Sequence, residues 1–363
     1  MGIDRPADRL AGFAAPVAGV ERPRSTLPCR VGCSGNAPAL LGGHYMIKIT
    51  SLATIAAALL ACGLAAAPAE AGLNRTFVSG TGTDSGTCTR AAPCRTFAFA
   101  LTQTAAGGEI DVLDPAGYGT VTIAKAISIV NDGAGTAGIR GAGPPSPDRN
   151  GVTINAGASD SVHLRGLTIA GFESGAGSGI QFNSGGNLAI ENCVIRGFAD
   201  GINIVPSKSS NFSVSNTIVS DNGANGIIVL PTGSPAVAGV ISNVTAYNNF
   251  TGIVVGSDFM TGGSINVTIV DSEVSKSPNG GILATAPSLT TAVLVRNSVA
   301  SNNGTGLLAS GSGAILRAAH SVVTGNGTGV NTRSGGILNS YGDNDINGNT
   351  NDNTAALTPI FTH

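Results

Sequence analysis

Tryptophan is absent from these 363 residues, aromatic side chains make up 4% of them and charged side chains 11%. So little charge, beside 42% apolar residues, excludes a disordered acidic or basic tail. The few aromatics argue against a tight stacking surface for sugars. Formal net charge is only −2, which gives no electrostatic case for nucleic acid or anionic lipid as a partner. Helix formers are scarce through the second half, where Gly, Asn, Ser, Thr, Val and Ile dominate. With 53 glycines, this is turn chemistry interleaved with strand chemistry, and it predicts an all-β chain.

The first 71 residues stand apart. Residues 46–71, MIKITSLATIAAALLACGLAAAPAEA, carry Lys48, an apolar run and the small-x-small ending Ala69-Glu70-Ala71, which predicts a secretory signal cut after Ala71. A membrane-spanning helix is the weaker reading, because the run is alanine-rich and ends in a cleavage pattern rather than in basic flanking residues. Leu59-Leu60-Ala61-Cys62 resembles a bacterial lipobox, so lipid on Cys62 is the alternative to cleavage. Residues 1–45 show no periodicity and read as an upstream segment outside the mature protein. The expected product is secreted, periplasmic or held at the cell surface. From residue 72 onward there are 13 basic and 17 acidic residues, a balance of 13 − 17 = −4. Cys88 and Cys94 are spaced for a short disulfide loop in an oxidising compartment, and Cys193 sits in an apolar pattern as a buried thiol.

A glycine followed by an aliphatic residue recurs at Gly151, Gly179, Gly201, Gly226, Gly252, Gly281, Gly306 and Gly329, at intervals of 28, 22, 25, 26, 29, 25 and 23 residues. Nine or ten residues before most of them, a polar residue closes an alternating strand: Asn192, Asn216, Asn243, Asp271, Asn297 and His320. The two marks keep step while the loops vary, as in a solenoid of three-strand rungs. GIIVL at 226–230, FSVSN at 212–216 and TIVS at 217–220 illustrate the three strands. The NNGTG between rungs, at 302–306, is expected to supply left-handed corners.

These motifs, with PCRTFAFAL at 93–101 and GGEIDVLDPAGYGTVTIAKAISIV at 107–130, resemble the right-handed parallel β-helix proteins of the pectate-lyase-like superfamily. The resemblance covers about residues 75–350. It implies a parallel β-helix over 109–350, of about eight to ten rungs at about 4.8 Å each, and a tail at 351–363. It also implies an N-terminal cap over 72–108, with a helix in 95–105 started by Thr96. In members that cleave acidic polysaccharides, it implies chemistry on the outer face of the glycine-aliphatic strand and the turn before it.

That face is predicted to present Gln181, Asn203, Ile228, Val254, Leu283, Leu308 and Asn331, with no ionisable group among them. Hydrolysis needs paired carboxylates, and a lyase needs a base with acidic calcium ligands. Neither is present in this column. The turns offer Arg196, Asp200, Asp221 and Lys276 as an acid/base or calcium set, against the plainer reading of solvated turn residues. Arg165 is expected to pair with Glu191 beside His163, and His320 to hold a corner. Ile228, Val254, Leu283 and Leu308 should form an exposed apolar stripe, covered by the tail (Ile360, Phe361), by the loop 257–264 or by another subunit. The function expected is a secreted scaffold or adhesin-like protein that contacts polysaccharide, needs no cofactor, and does not bind nucleic acid or span a membrane. The alternative is a polysaccharide lyase, using calcium, or a glycoside hydrolase.

Overall fold

Each rung repeats one local sequence of events, seen clearly at Asp200–Ile204, Ser210–Ser215 and Ile218–Ser220. Inward Ile202, Ile204, Phe212, Val214 and Val219 are buried, and the residues between them face out, as strand alternation requires. The computed structural model describes residues 72–144, 149–172, 175–353 and 357–361. The expected segments 1–45 and 46–71, with Cys62, lie outside the described residues.

The rungs stack into three parallel sheets of ten, twelve and ten strands. We number them as first, second and third in the order each rung meets them. Register is continuous: Ile180, Ile202, Ile227, Ile253, Ile282, Leu307 and Val330 stand in line along the first sheet. They form part of one unbroken apolar core with the inward residues of the other two sheets. Sheet pairing between rungs satisfies the backbone, so a rung needs its neighbours to fold at all.

Among the described residues a single helix, Phe97–Gln103, occupies the N-terminal end, with Thr96 as its cap accepting a hydrogen bond from Phe99 N–H. Phe97 packs on Tyr118 with ring centroids 5.0 Å apart. Cys88 and Cys94 are disulfide-bonded, and the buried Cys193 is the free cysteine among the described residues. Among the described residues no helix is long and apolar enough to cross a membrane.

The solenoid reaches past 109–350 at both ends. Leu73–Val78 already pairs with Thr104–Val112 in the second sheet. At the other end Asn351–Asn353 pairs with Thr328–Arg333, and Thr358–Pro359 with Ile337–Ser340. The described part of the tail therefore extends the first sheet at Asn351–Asn353 and the second at Thr358–Pro359, and does not fold over the apolar stripe of the first. Ile360 N–H continues the pairing to Ser340 O at 3.0 Å, leaving Phe361 exposed. The loop 257–264 is likewise engaged elsewhere, through Thr261 N–H to Gly233 O and Thr285 Oγ1 to Asp258 Oδ2.

Candidate functional site

Corners place the charged side chains. Asn192, Asn216, Asn243, Asp271, Asn297 and His320 all have φ between 45° and 53°, so the polar residue closing the second strand turns the chain in a left-handed conformation. Their side chains bond along the stack: Asn243 Nδ2 donates to Asn216 Oδ1 at 2.6 Å, and Asn297 Nδ2 to Asp271 Oδ1 at 2.5 Å. His320 is held the same way, its N–H donating to Asp343 Oδ1 at 3.0 Å and Nδ1 lying 3.2 Å from Asp343 Oδ2.

A second left-handed column follows the third sheet and contains Asp221, Asn248, Lys276 and Asn302, with φ of 55° to 58°. Two of the four candidate residues are thus corner residues. Asp221 accepts from Ser220 Oγ at 2.8 Å and Asn248 Nδ2 at 2.7 Å. Lys276 lies two rungs along, beyond Asn248. Arg196 ends a third-sheet strand in register with Ser220 and Ala170. Asp200 opens a first-sheet strand beside Ser178. The four occupy three separate columns over several rungs, so the expected acid/base or calcium set is not assembled.

Asp200 nevertheless corrects the expectation of a face without charge. The register pairs Ser178 with Asp200 and Ile180 with Ile202, skipping the glycines between them. At Gly201 an added Cβ would point inward, 2.6 Å from Gly226 O, so Asp200 before it is turned away from the core. Here Asp200 accepts from Asn225 Nδ2 at 2.8 Å and Asn203 Nδ2 at 3.4 Å. Burial raises its carboxyl above the ordinary value, and the bonds from Asn225 offset part of that rise. The neighbouring rungs carry a chain of amides: Ser178 Oγ donates to Gln181 Oε1 at 3.0 Å, Gln181 Nε2 to Asn183 Oδ1 at 2.8 Å, and Asn183 Nδ2 to Asn155 Oδ1 at 2.9 Å. Asn203 Oδ1 is shut from solvent without a partner.

The outward column Asn203, Ile228, Val254, Leu283, Leu308, Asn331 is in register as expected. Its aliphatic part is not an exposed stripe, however: Leu283 is 9% and Leu308 7% exposed, while Ile228 and Val254 are half-buried. Side chains one rung apart lie in contact and shield one another.

On the second sheet, His163 stacks on Ala189 and Arg165 on Glu191. Arg165 Nε is nearer to Asp132 Oδ1, at 3.1 Å, than to Glu191 Oε2, at 4.0 Å, and His163 Nε2 lies 3.6 Å from Glu191. These half-exposed pairs are each worth at most about 1 kcal/mol.

Sequence reasoning missed a buried asparagine ladder one residue beyond the left-handed corner. Asn303 Oδ1 accepts from Ser277 N–H at 2.9 Å while its Nδ2 donates to Val274 O at 3.0 Å. Asn326 does the same for Asn303 N–H and Ala300 O, at 2.8 and 2.9 Å. Asn249 and Asn349 bind the preceding rung likewise. The signal was an Asn three residues before Gly252, Gly306 and Gly329.

A three-sheeted parallel β-helix with laddered corners is the class of protein that these features define. The family model described as "Periplasmic copper-binding protein (NosD)" matches residues 154–358, more than half of the 363, and the chain belongs to that family. Among solved structures it is similar to pectate lyase Pel9A, with TM-score 0.55 and 15% identity over 73% of this chain and 74% of that one. It is also similar to a rhamnogalacturonan lyase, with TM-score 0.55 and 15% identity over 70% and 75% of the two chains. At such identity the likeness is one of fold. No curated protein matches the chain.

Proposed function

We propose that this protein is an extracytoplasmic scaffold that presents the long faces of its β-helix to a polysaccharide and carries out no reaction on it. The observation carrying this reading is the dispersal of Arg196, Asp200, Asp221 and Lys276 among three columns, two of them as left-handed corners. The half-exposed amides of Gln181 and Asn183 offer donors and acceptors for sugar hydroxyls where the related fold of the lyases has its chemistry. An oxidising location outside the cytoplasm fits the Cys88–Cys94 disulfide, the signal-like 46–71 and the periplasmic family.

Copper, named in the family's description, does not fit the described residues. His320 is bound to Asp343, His163 faces out beside Glu191, and Cys193 is buried on another turn. Among the described residues no three His, Cys, Asp or Glu side chains are grouped to hold a metal. No role for copper enters this reading.

A product assay tests the proposal. Purified protein is incubated with acidic and neutral polysaccharides, with and without calcium, and read for new chain ends and for co-sedimentation. Binding weakened by Asn183→Ala, without new ends, is the expected result. Release of ends that Asp200→Asn abolishes would overturn the scaffold reading in favour of a lyase or hydrolase.

A further inference from the structure

The outer face of the second sheet is uneven in a way that its own sequence can match. Near the N-terminal rungs it carries a shallow hollow, lined by small side chains including Ser161, Asn187, Ala189 and Ser213. Along the same face the register runs from Ala189 through Ser213, Val240 and Thr268 to Leu294 and Arg317. The far end is an apolar ridge of Leu294, Ile315 and Ile337. Ile337 is 42% exposed and Val240, midway between hollow and ridge, 44%. Leu294, Ile315 and Ile337, on three consecutive rungs, run from half-buried to exposed, and with the open Val240 they make an apolar strip of the kind a soluble surface covers.

Charge is divided along the face in the same direction. Glu191 and Asp132 stand at the hollow, already sharing Arg165. Arg296 and Arg317 stand at the ridge, and neither has an ion-pair partner among the described residues.

We propose that a second copy of this chain covers the face, packed sheet to sheet about a two-fold axis that runs along the strand direction beneath Val240. That axis reverses the order of rungs and keeps each column opposite itself. Two rungs from Val240 in one direction lies Ala189, and two rungs in the other lies Leu294. Leu294 of each copy therefore enters the hollow at Ala189 of the other. Arg296 comes opposite Glu191 by the same count through Val270, Ser242 and Ser215. Arg317 meets the His163–Glu191 pair, and Val240 meets its own copy.

One self-complementary patch is thus used twice, as a closed dimer requires. Seven rungs of three columns span about 34 Å by 20 Å, on the order of 700 Å² per copy, near the standard size for a stable interface. This surface is separate from the first-sheet amides, so dimerisation and polysaccharide binding stand or fall independently.

The test is sedimentation equilibrium of the purified chain, with two outward-facing substitutions. The native protein is expected at twice its chain mass. Leu294→Asp should weaken the dimer at least tenfold while leaving the melting temperature of the monomer and its circular dichroism unchanged. Val240→Cys should be cross-linked to its own copy by a short bismaleimide spanning about 10 Å, the spacing of facing sheets, since Cys193 is buried and Cys88 is bonded to Cys94. A monomeric native protein would overturn the proposal and leave the face to a different partner. A dimer that survives Leu294→Asp, or one in which Val240→Cys fails to cross-link, would overturn it equally.

Discussion

Ser277 N–H donates to Asn303 Oδ1 at 2.9 Å, yet the hydroxyl of Ser277 is buried without a partner. Ser277 fills the position that Asn249 and Asn303 occupy on the adjacent rungs, so the buried amide ladder is broken at one step. Ser277→Asn should repair it, accepting from Asn249 N–H and donating to Ala246 O as its neighbours do. We expect a gain of about 1 kcal/mol per hydrogen bond made, seen as a rise of a few degrees in the thermal midpoint. Ser277→Ala should be close to neutral, since it removes a hydroxyl that bonds nothing.

The glycines beside the ladder are spacers. A Cβ at Gly306 would lie 2.5 Å from Val323 Cγ1, 2.6 Å from Gly329 O and 3.0 Å from Asn326 Nδ2. Gly306→Ala is expected to cost on the order of 3 kcal/mol through overpacking. Gly117, in a strand with nothing within 4 Å of its added Cβ, is the control. Gly117→Ala should stay within about 0.5 kcal/mol of the native protein. Equal denaturation midpoints for the two variants would contradict this account.

Two carboxylates should respond oppositely to pH. Hydrogen bonds from Ser79 Oγ, Gly80 N–H and Tyr118 Oη lower the pKa of Asp114. Its contribution to stability is therefore present at neutral pH and is lost as pH falls through that lowered value. Burial raises Asp200, so its contribution is present in acid and is lost as pH rises through the raised value. Asp114→Asn should lower the melting temperature at pH 7 and lose that effect in acid. Asp200→Asn should leave the melting temperature at pH 7 equal or higher, with the difference closing in acid. Melting curves across pH 3 to 7, bracketing ordinary carboxylate values, would show whether the signs are opposite.

Thiol chemistry separates the three described cysteines. Burial pushes the Cys193 thiol up to about 11, with backbone hydrogen bonds at Leu167, Glu191 and Gly166 offsetting part of the rise. It should resist alkylation in the folded protein and react fully in denaturant, as read by peptide mass. Cys88 and Cys94 should react only after reduction. Breaking that short loop is expected to cost about 2 kcal/mol. The exposed amides should be those near Phe77, whose N–H and O pair with Cys88 and Cys94, as read by hydrogen exchange.

Much of this architecture was legible because rung spacing and strand alternation report it directly. The inward and outward columns of the first sheet, the helix started by Thr96 and the corner at His320 follow from period and residue type. The four letters N, N, G and G of NNGTG were only partly legible. Asn302 is left-handed, as expected. Asn303 is instead a ladder amide, and Gly306 yields space to Asn326. One composition thus serves three physical needs that a linear pattern cannot separate. The site was less legible still, because Asp200 faces out only through the skipped pairing at Gly201. Leu283 and Leu308 are screened by stacked neighbours whose closeness no single rung encodes.

The amide ladder has a further consequence for how such a chain can change. Asn249, Asn303, Asn326 and Asn349 each bind the rung before them. The rungs that carry these asparagines therefore present the same socket forward and the same plug behind. Excising one such unit, or duplicating it, rejoins matching halves. Length is then a quantity that this molecule's lineage could adjust in whole steps, without redesigning any joint.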